Sequence, residues 1–413
     1  MYGTLALTHR ALDDLQDAAG DAAIAELRAL ARPIEGLRVL NLSVTGFGTG
    51  TAELLNSSVP LMKDLGLDAR WQVVRASEEA AQVGRAMYQA LGGVPVQWTH
   101  EMTEIWLRCA EMNAGLLTEP FDVIIVHDPQ PLAIRSYVTT NADAKWLMHS
   151  HLDLSSAQED VWMLLRGQVA NYDAAIFDAP AFARDDMPVP TYIVPPAIDP
   201  NSARNMPLSD DVIRTVLAQY GIDPERPLLC HVSPCDAASD LCGVVDVWQK
   251  ARGRHPELQL VFVLTTEPQD PHGRTCYDDL ARRCREEPSA FIVSAGNEVG
   301  NVELNVFQRA ASVVLQKGLR KGFGLWVSDA LWKERPCVVA PAGGLTEQVI
   351  DGRTGIIAHT TDEFAAAVSR LLEDPAAAAD YGKSGRQHVA ERFLITRYLR
   401  DYLRILDELH RKN

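Results

Sequence analysis

Short apolar runs alternate with longer amphipathic stretches along most of the chain. LRVLNLSV (37–44) is the first such run, and a Gly-rich segment, TGFGTGTAE (45–53), follows it directly. AELLNSSVPLMKDLG (52–66) then carries apolar residues at helical spacing. ARWQVV (69–74), FDVIIVHD (121–128), KWLMHSH (145–151), AAIFDAP (174–180) and TYIVPPAID (191–199) are further strand-like runs. A second series reads LLCHVSP (228–234), LQLVFVL (258–264), AFIVSAG (290–296), SVVLQKG (312–318) and CVVAPAGG (337–344). Helices are predicted over VVDVWQKARGR (244–254) and WVSDALWKE (326–334), and FLITRYLRDYLRILDEL (393–409) closes the chain as another. Short continuous apolar runs separated by helices predict parallel sheets covered on both faces. The polar segment DPNSARNMPLSDD (199–211) separates the two series, so the pattern predicts two doubly wound α/β domains with a cleft between them.

Composition adds limits. The chain has 413 residues, 47% hydrophobic and 23% charged, which is ordinary for a globular protein. With 39 Lys and Arg against 55 Asp and Glu, the net charge is -16. A surface that acidic repels phosphate backbones, so a general nucleic-acid partner is not expected. The 7 cysteines show no C-x-x-C spacing and read as free thiols of a reducing cytosol. No stretch has the layout of a secretory leader or the length of a membrane span, so a cytoplasmic protein with no membrane partner is expected.

Candidate chemistry gathers at the predicted strand ends. The alternating Gly46, Gly48 and Gly50 stand between a strand and a helix, where backbone N–H groups can meet an anion or simply make a turn. His127 and Asp128 end a very apolar strand and are expected to face the cleft, with Gln130 close behind. His149, His151 and Asp153 end the next. These residue types suit a polyhydroxy ligand, a structural role or a metal, the last needing three or four converging ligands. In the second half, Gly322-Phe323-Gly324-Leu325 opens a helix that places Asp329 about two turns in, and Gly343-Gly344 follows another strand.

These pieces together resemble the retaining GT-B glycosyltransferases of family 4, and among them the glycosyltransferring trehalose synthases. The resemblance runs from about 38 to 410, through TAELLNSSVPLMKDLGLDARWQVV, VHDPQP, HLDLSS, YIVPPAIDP, NVFQRAASVVLQ, GFGL, AGGLTEQVIDGRTG and FLITRYLRDYL. It implies a Rossmann-like acceptor domain over 1–200, a Rossmann-like nucleotide-sugar domain over 201–390, and a helix over 391–413 returning to the first. It also implies a homodimer, a small-molecule donor and acceptor, and no cofactor beyond the nucleotide-diphosphate sugar. His151 and Asp153 are the expected catalytic residues. Glu53, His127, Asp128 and Gln130 are expected on the acceptor side. Gly48, Ser233, Ser239, Lys321, Gly322, Phe323, Gly324, Leu325 and Asp329 are expected around the donor. No protein nucleophile is required in such enzymes, because the donor phosphate can take the acceptor proton.

The donor motifs depart from the family. The acidic pair Glu-x7-Glu falls on Lys321 and Asp329. The diphosphate grip S-R-F-D-P-W-K-G falls on Ser233-Pro234-Cys235-Asp236-Ala237-Ala238-Ser239-Asp240, which has neither cation. An apolar strand that should end in Gly reads Leu264-Thr265-Thr266. Loss of one contact to charge developing in the transition state typically costs on the order of 3 kcal/mol. Lys317, Arg320 and Lys321 are the cations positioned to replace the missing charge. The resemblance therefore implies sugar transfer with an altered donor or acceptor, in specialised metabolism. One such reaction joins a GDP-sugar to the thiol of ergothioneine on the way to lincosamide antibiotics. Trehalose synthesis from NDP-glucose and glucose, a catalytically silent sugar- or nucleotide-binding relative, and a disaccharide phosphorylase are the alternatives.

Overall fold

The computed structural model describes residues 3–264, 271–294, 300–318 and 322–411. They divide into two compact units, the first holding 3–197, 322–323 and 395–411, the second 198–318 and 324–394.

The first unit is built on a seven-stranded sheet. Its strands are β1 (Gly3–Thr4), β2 (Arg38–Ser43), β3 (Asp68–Val73), β4 (Val123–His127), β5 (Lys145–Ser150), β6 (Ala174–Phe177) and β7 (Thr191–Ile193), in the order β1-β3-β2-β4-β5-β6-β7. All neighbours are parallel except β1, a two-residue edge strand that runs antiparallel to β3 and that the hydrophobic pattern did not announce. The central strands are buried throughout, as continuous runs such as Val-Ile-Ile-Val require when helices cover both faces. The helix Gly50–Asp64 is capped by Thr49, whose hydroxyl accepts the Ala52 N–H. The C-terminal helix Ile395–Arg411 belongs to this unit. Its buried Tyr398, Leu399, Tyr402, Leu403 and Leu406 share one core with Leu12, Ile24 and Leu27 near the N-terminus.

The second unit has a six-stranded, all-parallel sheet. Its strands are β8 (Leu228–Ser233), β9 (Gln259–Leu264), β10 (Ala290–Ser294), β11 (Val313–Gln316), β12 (Cys337–Val339) and β13 (Ile356–Ile357), in the order β10-β9-β8-β11-β12-β13. The chain winds outward from β8 in one direction, then returns to β11 on its other side. The carboxyl ends of β8 and β11 are therefore the topological switch point, where open α/β sheets place their ligands. All seven cysteines are free thiols. Among the described residues no helix is long and apolar enough to cross a membrane.

Glycine is required where the helix Pro375–Arg392 crosses the turn after the helix Trp326–Trp332. A Cβ on Gly382 would stand 2.2 Å from the Glu334 carbonyl oxygen, which is fixed backbone and cannot swing away. Gly382→Ala should therefore destabilise the second unit by about 1–3 kcal/mol, the usual range for overpacking. Urea unfolding checks this, and an unchanged midpoint would show that the two helices separate freely.

Candidate functional site

Parallel pairing brings three strand ends of the first unit side by side. His127 lies opposite His149, and β5 is bonded in turn to β6, which ends one residue before Asp178. His149 and His151 are two apart, so the period of an extended chain keeps both on one face. Asp128 adopts φ 66°, a left-handed conformation that costs a non-Gly residue energy and is held here by its surroundings. Its N–H donates to the His149 carbonyl at 2.8 Å. Its side-chain oxygens accept from the His151 N–H and the Thr51 hydroxyl, both at 3.3 Å.

The three imidazoles and two carboxylates form one buried network. Asn41 fixes its far end, because its amide N–H donates to the Arg70 carbonyl and turns Oδ1 toward His127. His127 Nε2 must then carry the proton it gives to Asn41 Oδ1 (3.0 Å), which leaves Nδ1 to accept from His151 Nε2 at 3.2 Å. His151 Nδ1 donates to Asp178 Oδ1 at 3.0 Å. His149 Nε2 donates to the same oxygen at 3.2 Å, and His149 Nδ1 accepts from the Tyr402 hydroxyl at 2.5 Å. This assignment gives every ring nitrogen a partner and makes only His151 doubly protonated.

The electrostatics agree with it. Burial opposes charge on His151, but the adjacent Asp178 carboxylate and its hydrogen bond, with Asp128 beyond, carry its pKa up to about 9. Burial, reinforced by the charge on His151, pulls His149 down to about 4. Burial and its two histidine neighbours hold His127 well below the ordinary range. Burial raises Asp128. Burial also works against the Asp178 carboxylate, yet the two histidines keep it below the usual range.

The ring nitrogens of His127, His149 and His151 converge closely enough to suggest a metal centre, all lying within 4.8 Å of one another. A metal there would have to displace a proton from His151. A metal needs a lone pair from each ring, and His151 has given both of its nitrogens to N–H bonds.

The other expected residues of this unit are placed as follows. His127 is fully enclosed and does not face open space, since Asn41 and His151 hold both of its nitrogens. His151 is the imidazole that reaches the surface, its side chain 12% exposed. Asp153 is buried, one oxygen accepting the Ser155 N–H. Gln130 has a buried Oε1 without a hydrogen-bond partner among the described residues. Gly48 is exposed at φ 74°, and Glu53 sits half-buried in the first turn of the helix that Thr49 caps.

In the second unit the expected diphosphate loop follows β8. The Ser233 hydroxyl donates to the Pro234 carbonyl, and the Ser239 hydroxyl, with one proton to give, lies 2.8 Å from the Pro234 carbonyl and 2.9 Å from Asp236 Oδ1, so both are engaged inside the loop. Asp240, at the motif's glycine position, keeps a left-handed φ of 45°. Its carboxylate caps the helix Leu241–Arg252 through the Gly243 N–H and pairs with Lys317, the residue after β11. Lys321 and Arg320, with Thr265 and Thr266, lie outside the described residues. Gly322 and Leu325 are half-buried, Phe323 is buried, and Gly324 has φ 70°. Asp329 stands in the first turn of the helix Trp326–Trp332, not two turns in, and is buried. Asn205 Nδ2 donates to its Oδ1 at 2.7 Å, while Arg204 approaches its Oδ2 at 3.7 Å. Lys333, beside it, donates to Asn205, Gln308 and the Asp329 carbonyl; burial, offset by Asp329, pulls its pKa down to about 7.

Sequence reasoning missed Asn41, Asp178, Tyr402 and the pairing of Asp240 with Lys317. For Asp178 a usable signal existed, since AAIFD ends an apolar run as VIIVHD does. For Tyr402 there was none, because it lies in an ordinary amphipathic helix.

Known proteins resemble the chain in sequence and in fold. Residues 41–184 match the family described as "Trehalose synthase, N-terminal domain", and 213–388 match "Glycosyl transferases group 1". The trehalose synthase of Rubrobacter xylanophilus is 36% identical over 406 residues, 97% of each chain. That of Thermococcus litoralis is 34% identical over 399 residues, 96% of each. Among solved structures, sucrose-phosphate synthase from Thermosynechococcus elongatus superimposes with a TM-score of 0.71 at 16% identity, covering 91% of this chain and all of that one. An E. coli structure titled as trehalose-6-phosphate bound with UDP-2-fluoro glucose gives 0.72 at 14% identity, over 90% and 99%. At these identities the structures speak for the fold alone, which is GT-B.

The network also fixes how stability depends on pH. His151 has a folded pKa near 9, above its ordinary unfolded value of about 6.5. Its contribution is complete below about pH 6.5 and is lost as pH rises through about 9. The urea midpoint should fall across that window, and Asp178→Asn should flatten the fall. Equal slopes for the two proteins would break the assignment of the charge to His151.

Proposed function

Because this chain belongs to the trehalose synthase family, and is a glycosyltransferase, we propose that it moves a sugar from a nucleoside-diphosphate sugar to a small-molecule acceptor, with retention and without a metal ion. The observation that carries this reading is that the one imidazole reaching the surface of the first unit's buried network is also the one that is charged. A fixed cation at a strand end orients the sugar hydroxyls and opposes negative charge as the bond from the anomeric carbon to the phosphate oxygen breaks. A hydroxyl acceptor gives its proton to the departing phosphate oxygen, whereas a thiolate acceptor attacks with no proton to give. Lys317, at the switch point of the second unit, is the cation assigned to the diphosphate. Its partner Asp240 must release it for that purpose.

A more specific reading concerns the acceptor. The three imidazoles have no nitrogen left to take a proton from an acceptor. A thiol with a pKa of about 8.5 supplies its own thiolate and needs little help from a base. We therefore favour a thiol acceptor such as ergothioneine, with a GDP-sugar as donor, in specialised metabolism. The second reading is trehalose formation from NDP-glucose and glucose. Identity of 34–36% along nearly the whole chain to proteins of that name favours it.

The test has two arms. Calorimetry should show binding of at least one of UDP, GDP and ADP, weakened about tenfold or more in Lys317→Ala; no affinity for any of the three would overturn the nucleotide-sugar donor. Incubation of UDP- and GDP-sugars with glucose or ergothioneine, followed by mass spectrometry and NMR of the anomeric centre, should give an α-configured S-glycoside. Trehalose as the product would replace the thiol reading with the second one.

A further inference from the structure

The second unit holds a cavity away from its switch point. Its volume is about 290 Å³, at the small end of the range of roughly 300–1,000 Å³ that ligand pockets span. It lies between the helix Asp210–Gln219, the start of β8 at Leu228 and the last turn of the helix Asn301–Ala310. Leu228 opens β8 and Ala310 shortly precedes β11, so the cavity sits at the amino edge of the sheet, opposite the carboxyl ends of those two strands. Leu217, Ile222 and Leu228 give it a buried apolar floor. We infer that this cavity binds a small zwitterion of the amino-acid class, with its carboxylate on Arg309, its ammonium on Asp210 and its apolar side chain on that floor.

Three arginines and three carboxylates line the cavity, and most of them are already engaged. Arg214 lies 3.9 Å from Glu225, and Arg226 pairs with Glu257, beyond the lining, at 3.1 Å. Asp223 turns one oxygen to the Glu225 N–H at 3.0 Å. Arg309 donates from Nε to Asn305 Oδ1 at 2.9 Å, and from Nη2 to the Asn205 and Met206 carbonyls at 2.9 and 3.0 Å. Among the described residues its Nη1 has no hydrogen-bond partner, and no carboxylate pairs with the guanidinium. The Asp210 side chain likewise has neither a hydrogen bond nor an ion pair among the described residues. Its place in the first turn of its helix favours a negative charge but supplies no partner for it. One cation and one carboxylate of opposite sign are thus left uncommitted on the wall of one small cavity.

Charge decides the class of ligand. Arg309 is half-buried, and burial, with Arg335 and Arg386 nearby, pulls its pKa below the ordinary arginine value. A guanidinium stays charged all the same, so a carboxylate brought to Nη1 relieves the repulsion and gains a charge-assisted hydrogen bond. A pure anion meets the Asp210 and Asp223 carboxylates in the same cavity, and a pure cation meets Arg309. Inorganic phosphate adds to the first repulsion and brings nothing for the apolar floor. A ligand with both charges and an apolar body meets an opposite charge at each end and buries the rest.

Leucine carries all three features, and two analogues each lack one: isocaproate has no ammonium and isoamylamine has no carboxylate. Ligand-observed NMR titration of the full-length protein should show saturable leucine binding, with each analogue weaker by about tenfold or more. Asp210→Asn should weaken leucine about tenfold and leave isocaproate no weaker than before. Arg309→Gln should weaken both. Arg309 also holds the Asn205 and Met206 carbonyls, so if that variant fails to fold, Asp210→Asn and Ile213→Trp decide the matter. Ile213 is half-buried on the cavity wall, and a tryptophan there fills the space and should abolish leucine binding. The inference is overturned by no leucine binding at about 10 mM, by equal binding of an analogue or of inorganic phosphate, or by leucine binding indifferent to Asp210→Asn and Ile213→Trp. None of these readings needs a sugar donor or acceptor, so they stand apart from any failure of the proposed reaction.

Discussion

A carboxylate sealed away from water must be matched by donors, and Asp178 imposes that condition on the first unit. It is 2% exposed in its side chain and takes N–H groups from two histidines. Once those protons are fixed, the rest follow in turn: His127 must accept from His151, Asn41 must accept from His127, and Tyr402 must give to His149. The chain of bonds has one charged ring, and it is the ring at the rim. Uncharged, and each bonded through both ring nitrogens to other partners, the other two imidazoles behave as scaffolding. The same accounting disfavours a metal at what otherwise has the look of a three-histidine centre.

The second unit solves an opposite problem. The helix Leu241–Arg252 begins at the switch point, where free N–H groups and a positive dipole end attract anions. Here the protein's own Asp240 occupies that place and engages Lys317 as well. Gly243 makes the arrangement feasible, since a Cβ there would lie 2.3 Å from an Asp240 oxygen. The net charge of -16 is thus expressed locally, with an internal carboxylate standing at the helix end.

The architecture was legible because buried parallel strands have to be continuous apolar runs, and 121–128 or 258–264 allow no other reading. The edge strand β1 was not, because two residues carry no period. At the site, Asp128 and His151 stood out as polar residues ending apolar strands. Their roles were less legible, because role depends on neighbours in space. His127 was expected to face the cleft and lies enclosed, since Asn41 from β2 closes over it. Asp178 became important only through the pairing of β6 with β5. The spacing of Gly322, Phe323 and Gly324 located the start of a helix but placed Asp329 a turn too deep, because the glycine turn takes up more chain than the motif suggests.

Tyr402 and His149 are 253 positions apart. The first unit is therefore the first to leave the ribosome and the last to be completed, because its core waits for the final helix. Until that helix arrives, the apolar edges of Leu12, Ile24 and Leu27 have no cover from it, and the Asp178 cluster lacks its phenol. Contacts that distant are slow to form and leave an interval in which a partly folded chain can aggregate. The second unit draws its strands and helices from between 198 and 394 alone and can finish folding while its predecessor is still open.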